Sequence, residues 1–135
     1  VVKQTLDAEV KSITKLNERG LQNVCNYIGL EFKHGIYSEL NLKTQTVSAP
    51  DEWALMAAIE LGFDEYVNPP RGIEIYDKNK FQENGIKLTF LKNNLPFYIQ
   101  RRGRENFING LSIIDVMMFN PKEKIKEMLN DYTLL

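Results

Sequence analysis

At 135 residues, 43% apolar and 26% charged, the chain is one domain's worth of protein with enough apolar side chain to bury a core without cross-links. One Cys and one His exclude an internal disulfide and argue against a structural zinc site built within one chain. No run approaches the roughly 18 apolar residues a membrane span needs, residues 1–6 lack the charged-then-apolar grammar of a signal peptide, and a cytoplasmic protein is expected.

The net charge of −1 conceals an asymmetry. Residues 1–66 hold six Lys and Arg against ten Asp and Glu, a balance of −4, whereas residues 67–135 hold eleven against eight, a balance of +3. Two ordinary solvated faces give such a difference, and so does a surface that orients a charged partner.

Val2, Leu6, Val10, Ile13 and Leu16 recur at steps of three and four, predicting an amphipathic helix over 2–19 that Gly20 ends. Leu21, Val24, Cys25 and Ile28 predict a second, shorter helix over 21–28, stopped by Gly29, with Cys25 as a small hydrophobe on its apolar side. Read as a helix-turn-helix, this pair would present Gln22, Asn23 and Asn26, which can meet base edges but supply no phosphate anchor. His34 beside Gly35 reads as an exposed turn residue, and Leu40 to Thr46 alternate as an edge strand does.

The stretch from Ser48 to Gly62 dominates the chain. Ser48 as N-cap, Pro50 in the first turn and Asp51 closing a capping box predict a helix over 50–61, with Gly62 as its left-handed stop. Trp53, Leu55, Met56, Ile59 and Leu61 with three alanines leave only Glu60 polar, which predicts a helix covered on more than one side. Asn68-Pro69-Pro70 then enforces a turn. Alternation and apolar runs predict strands at 72–76, 86–92, 95–101 and 111–119, the middle two joined as a hairpin at Asn93-Asn94. Asn120-Pro121 with Glu123 opens a helix over 121–131, with Ile125, Met128, Leu129 and Tyr132 as its buried stripe.

The expected architecture is therefore a single α+β domain over 1–135. A helical pair (1–29) precedes a core (30–135) in which a central apolar helix and a C-terminal helix pack on a mostly antiparallel sheet of four to five strands. Leu6, Val10, Ile13, Trp53, Met56, Ile59, Ile73, Leu88, Phe90, Ile113, Val116 and Met128 are its expected core.

Two constellations bear on function. Lys87, Lys92, Arg101, Arg102 and Arg104 interleave with Phe90, Phe97, Tyr98 and Phe107. Arginine forks suit phosphate and rings on a sheet stack unpaired bases, so this hairpin is the expected binding surface of a non-enzymatic, regulatory module that engages nucleic acid or an acidic protein. Lys87, Lys92, Tyr98 and the three arginines are its candidate contacts, and no cofactor is called for. In an alternative reading, Glu74, Asp77 and Asp115 are acids set in apolar strands, where a carboxylate needs a partner or a metal. On adjacent strands, Glu74 and Asp115 would hold Mg²⁺ or Mn²⁺ for phosphoryl transfer or, as in a nuclease, nucleic-acid cleavage, with Asp77 beside them. That arrangement resembles nucleotidyltransferases in setting acids on alternating strands. It departs from them in lacking a Gly-Ser turn and in spacing Glu-x-x-Asp rather than Asp-x-Asp.

Overall fold

A computed structural model describes residues 1–7, 9–43, 46–101 and 103–135, with Arg104 as backbone alone. The chain forms two compact units, one of Val1–Ile36 with Leu95–Asp131 and one of Tyr37–Asn94 with Tyr132–Leu135.

The described part of the first unit is helical, with no strand. It holds α1 (Val2–Leu6), α2 (Ile13–Ile28), α5 (Ile113–Phe119) and α6 (Lys122–Leu129). Gly20 does not end a helix. α2 runs through it, and Thr5 of α1 lies beside it. The true stop is Gly29, at φ 80° and ψ 39°, where the Leu30 N–H reaches the Cys25 carbonyl and the Gly29 N–H the Asn26 carbonyl. These two bonds satisfy carbonyls the helix would leave open, in a conformation only glycine adopts without strain. Ile28 from α2 and Ile125 and Met128 from α6 are buried, and the Lys122 ammonium sits 4.8 Å from the centre of the Tyr27 ring.

Residues 111–119 are not the predicted strand. Ser112 caps α5 by accepting from the Ile114 N–H, and Ser112-x-x-Asp115 is a helix-start signature that outweighs the apolar run behind it. Residues 95–101 likewise form no strand among the described residues, although their side chains alternate. Tyr98 and Gln100 turn inward, and Phe97 and Ile99 outward. The polar pair is the buried one because its hydrogen bonds are met: Gln100 Nε2 donates to the Ile108 carbonyl at 2.9 Å, and the Ile108 N–H returns to Gln100 Oε1 at 2.9 Å.

The second unit holds α3 (Glu52–Glu60), β1 (Glu65–Asn68), α4 (Lys78–Glu83), β2 (Lys87–Asn93) and β3 (Tyr132–Leu134). Its sheet has three strands in the order β1-β2-β3, with β1 parallel to β2 (Glu65 opposite Lys87) and β3 antiparallel to it (Lys92 opposite Thr133). A mixed three-stranded sheet thus replaces the expected four to five mostly antiparallel strands. β2 is common to both. Leu88, Thr89 and Phe90 are buried in succession, as a central strand covered on both faces requires. Residues 72–76 fail as a strand because Pro69-Pro70 starts a 3-10 turn over Pro70–Glu74. A Cβ on buried Gly72 would collide with the Asn68 amide. The hairpin at Asn93-Asn94 is absent, since β2 finds its antiparallel partner in the C-terminal residues instead.

α3 buries one stripe rather than several. Leu55 and Ala58 join Phe81, Ile86, Leu88 and Phe90 in the core of this unit, while Trp53 stays 49% exposed and Ile59 45%. Leu6, Ile13 and Ile73, also expected inside, are exposed. The start of α3 differs in detail from the expected box. Glu52, not Asp51, reaches back, its carboxylate accepting from the Ser48 N–H at 2.6 Å and from the Ala49 N–H at 3.2 Å. The Ser48 backbone donor, then its hydroxyl, hold the Glu52 carboxyl down at about 2. Asp51 is released to a buried position, where it accepts from the Lys80 ammonium at 3.1 Å. No helix among the described residues is long and apolar enough to cross a membrane.

Candidate functional site

The same stripe that leaves α3 half uncovered opens a cleft of about 540 Å³ in the second unit. Ala54, Ala57, Ala58 and Leu61 of the α3 segment form one side, and the three alanines make room because nothing extends past Cβ. Trp53, from the first turn of α3, meets Tyr37 edge-on, with ring centres 5.9 Å apart and planes at 80°. Tyr37 is held there by a 3-10 turn, Tyr37–Glu39. Tyr66 on β1 and Tyr76 beyond the 3-10 turn stack at 5.6 Å and 22°, both against the fully buried Phe81 ring. Phe63, 58% exposed, completes five aromatic side chains on one concavity. Clefts of about 300–1,000 Å³ lined by aromatic groups with a few polar ones are the usual form of a small-ligand site.

The polar groups of this cleft are few. The Tyr66 and Tyr76 hydroxyls lie 3.4 Å apart, and burial, then Tyr76, push the Tyr66 phenol up to about 12, so it keeps its proton at neutral pH. Among the described residues that line the cleft only Glu65 is charged, and its side chain lies on the Lys87–Thr89 face of the strands, opposite to that of Tyr66. Its Oε1 accepts from the buried Thr89 hydroxyl at 2.6 Å and from Lys87 at 2.9 Å, and these donors hold its carboxyl below the usual range. A second cleft of about 500 Å³ runs past Ser48, Glu52 and Lys80, but those groups are already bonded to one another or to Asp51.

The residues expected to bind do not gather on a hairpin. Lys87 pairs with Glu65, and Lys92 lies exposed on β2, in the second unit. Arg101 stands at a turn of the first unit, bordering an apolar pocket of about 320 Å³. Arg102 and the Arg104 side chain lie outside the described residues. Tyr98 is buried rather than displayed. Its hydroxyl donates to Asp115 Oδ2 at 2.6 Å, and Phe107 meets its ring edge-on.

The neighbouring strands on which a Glu74–Asp115 metal pair depended are also absent. Glu74 ends the 3-10 turn of the second unit, and Asp115 lies in the first turn of α5 in the first. Asp115 accepts from Tyr98 and, at 3.1 Å, from Gln100 Nε2. Asp77 caps α4 by accepting from the Asn79 N–H at 2.9 Å. Among the described residues no group of three or more His, Cys, Asp or Glu is placed to hold a metal ion.

Sequence reasoning missed the cleft because it read the all-round apolarity of α3 as burial. The available signal was Trp53 together with Phe63 and Tyr66 immediately after the helix, more ring surface than one short helix can bury. No curated protein and no solved structure gives a significant match to the chain. The WbqC-like protein family is matched over residues 1–127, nearly the whole length, and the chain belongs to that family.

Proposed function

We propose that the chain is a binding module and that the aromatic cleft beside α3 is its ligand site. The observation that carries this reading is the gathering of Tyr37, Trp53, Phe63, Tyr66 and Tyr76 on one concavity that three alanines keep open. Exposed rings cost free energy in water, and a unit with a buried core of its own gains nothing by leaving Tyr37, Trp53 and Phe63 exposed at one cleft unless something covers them. The cleft takes over the binding role expected of the basic hairpin, which is not formed.

Trp53 is the sole tryptophan and lines the cleft, so its fluorescence reports occupancy directly. A neutral apolar probe such as N-phenylnaphthylamine should quench it saturably, with one site. Ala57→Leu, which fills the cleft, and Tyr37→Ala, which removes a wall, should each weaken binding about tenfold with unchanged thermal midpoints. Non-saturable quenching, or variants that both bind as tightly as the unaltered chain, refutes the site.

A further inference from the structure

We infer that the pocket beside α5 in the first unit is a second ligand site, and that it takes a small apolar amino acid as the zwitterion. The pocket holds about 320 Å³, the low end of the range for small-ligand sites. Ile108, Leu111, Met118 and Phe119 give it apolar walls, and all four are exposed rather than part of a buried core. Among the described residues that line it only Arg101 and Asp115 are charged, and their signs are opposite. They do not cancel each other. The Arg101 side chain makes no hydrogen bond or ion pair with any described residue, Asp115 included. Asp115 is engaged on one oxygen alone. Tyr98 Oη and Gln100 Nε2 both donate to Oδ2, at 2.6 and 3.1 Å, and no described group donates to Oδ1. Since no buried side-chain polar atom among the described residues lacks a hydrogen bond, Oδ1 is open to solvent.

The frame of the pocket is fixed from behind. Gln100 is buried and bonds Ile108 through both amide atoms, Nε2 to its carbonyl and Oε1 from its N–H. The same Nε2 donates to Asp115, so one amide holds an apolar wall and the carboxylate together, and a ligand has less to order on binding. A ligand of one charge suits only half of this arrangement. An ammonium is drawn to Asp115 but repelled by Arg101, and a carboxylate is drawn to Arg101 but repelled by Asp115. A zwitterion meets both, its ammonium on Asp115 Oδ1 and its carboxylate on the guanidinium fork, while an apolar side chain covers the walls. No residue of the aromatic cleft lines this pocket, so the two sites are tested independently.

Leucine, isopentylamine and isocaproate share one apolar body and differ in carrying both charges, the ammonium alone or the carboxylate alone. Each is titrated into the whole chain to millimolar concentrations, with the amide chemical shifts of Ile108 and Met118 as readout. Leucine should move both saturably and bind about tenfold more tightly than either truncated probe. Arg101→Gln should bring leucine to the affinity of isopentylamine, and Asp115→Asn should bring it to that of isocaproate. Asp115 also holds Tyr98, so if its variant unfolds, Arg101→Gln decides, because that exposed side chain has no bond to lose. A truncated probe that binds as tightly as leucine, an unchanged leucine affinity in Arg101→Gln, or no saturable shift in the folded chain overturns the inference.

Discussion

His34 sits between two acceptors. Its Nδ1 lies 3.0 Å from the Phe32 carbonyl and its Nε2 2.8 Å from Glu18 Oε1, while the Phe32 ring stacks on it at 4.3 Å. Neither partner can donate, so both ring nitrogens must, and the geometry is that of an imidazolium. The Phe32 carbonyl, then Glu18, raise its pKa above the ordinary 6.5, and Lys15, which also pairs with Glu18, opposes them weakly. A raised folded-state value stabilises the folded chain fully below about 6.5 and ceases to do so as pH climbs through the raised value. Thermal unfolding from about pH 5 to about pH 9 should therefore show a decline on the alkaline side that His34→Gln lacks. An identical decline in the variant would show that His34 does not carry it. The same two contacts engage both ring nitrogens of His34 within the fold.

At the scale of the element, two glycines of one helix make opposite predictions. Gly20 lies inside α2 with helical backbone, and a Cβ there would rest 3.6 Å from the Thr5 methyl, an ordinary contact. Gly20→Ala should stabilise the protein by about 0.5–1 kcal/mol, because alanine loses less backbone freedom on folding. Gly29, at φ 80°, needs the left-handed region, and Gly29→Ala should cost about 1–2 kcal/mol. Denaturant unfolding at constant m-value distinguishes the two. A loss of stability in Gly20→Ala would mean that the methyl group is not accommodated as an ordinary contact beside Thr5. α5 teaches a related lesson. Its seven residues are apolar enough for a strand, yet Ser112 at their head and the Asn120 side chain, bonded to the Val116 carbonyl at their end, close both helix termini locally.

For the whole molecule, the question is where each core lies. Phe81 of α4, 0% exposed, is the ring on which Tyr66, Tyr76 and the sheet of the second unit converge, and Phe81→Ala should cost about 3–5 kcal/mol. Trp53, half exposed at the cleft, should cost at most about half of that when replaced by Ala, because much of its surface already faces water. Urea unfolding of the two variants tests the order. A costlier Trp53→Ala would restore α3 to the centre of the fold and close the cleft. The second unit is built from a continuous stretch, Tyr37–Asn94, and the last four residues of the chain, so its sheet is complete only when β3 returns to β2.

The sequence by itself determined what local hydrogen bonds can settle. α2 stops at Gly29, α3 stops before Gly62, α6 starts after Pro121, and β2 lies where its alternating and apolar residues put it. A helix closes its bonds within four residues, so caps and periodicity written locally are sufficient to place it. A strand takes its bonds from elsewhere, and here the partners of β2 lie some twenty residues before it and forty after it. No pattern within 65–68 or 132–134 could announce that pairing, and residues 95–101, equally strand-like in their alternation, form no strand among the described residues. The same dependence on distant neighbours governed burial. Apolarity on every side of α3 states what that helix would gain from being covered. Only the packing of Tyr66, Tyr76 and Phe81 decided that Leu55 and Ala58 went inside and Trp53 was left at the mouth of a cleft.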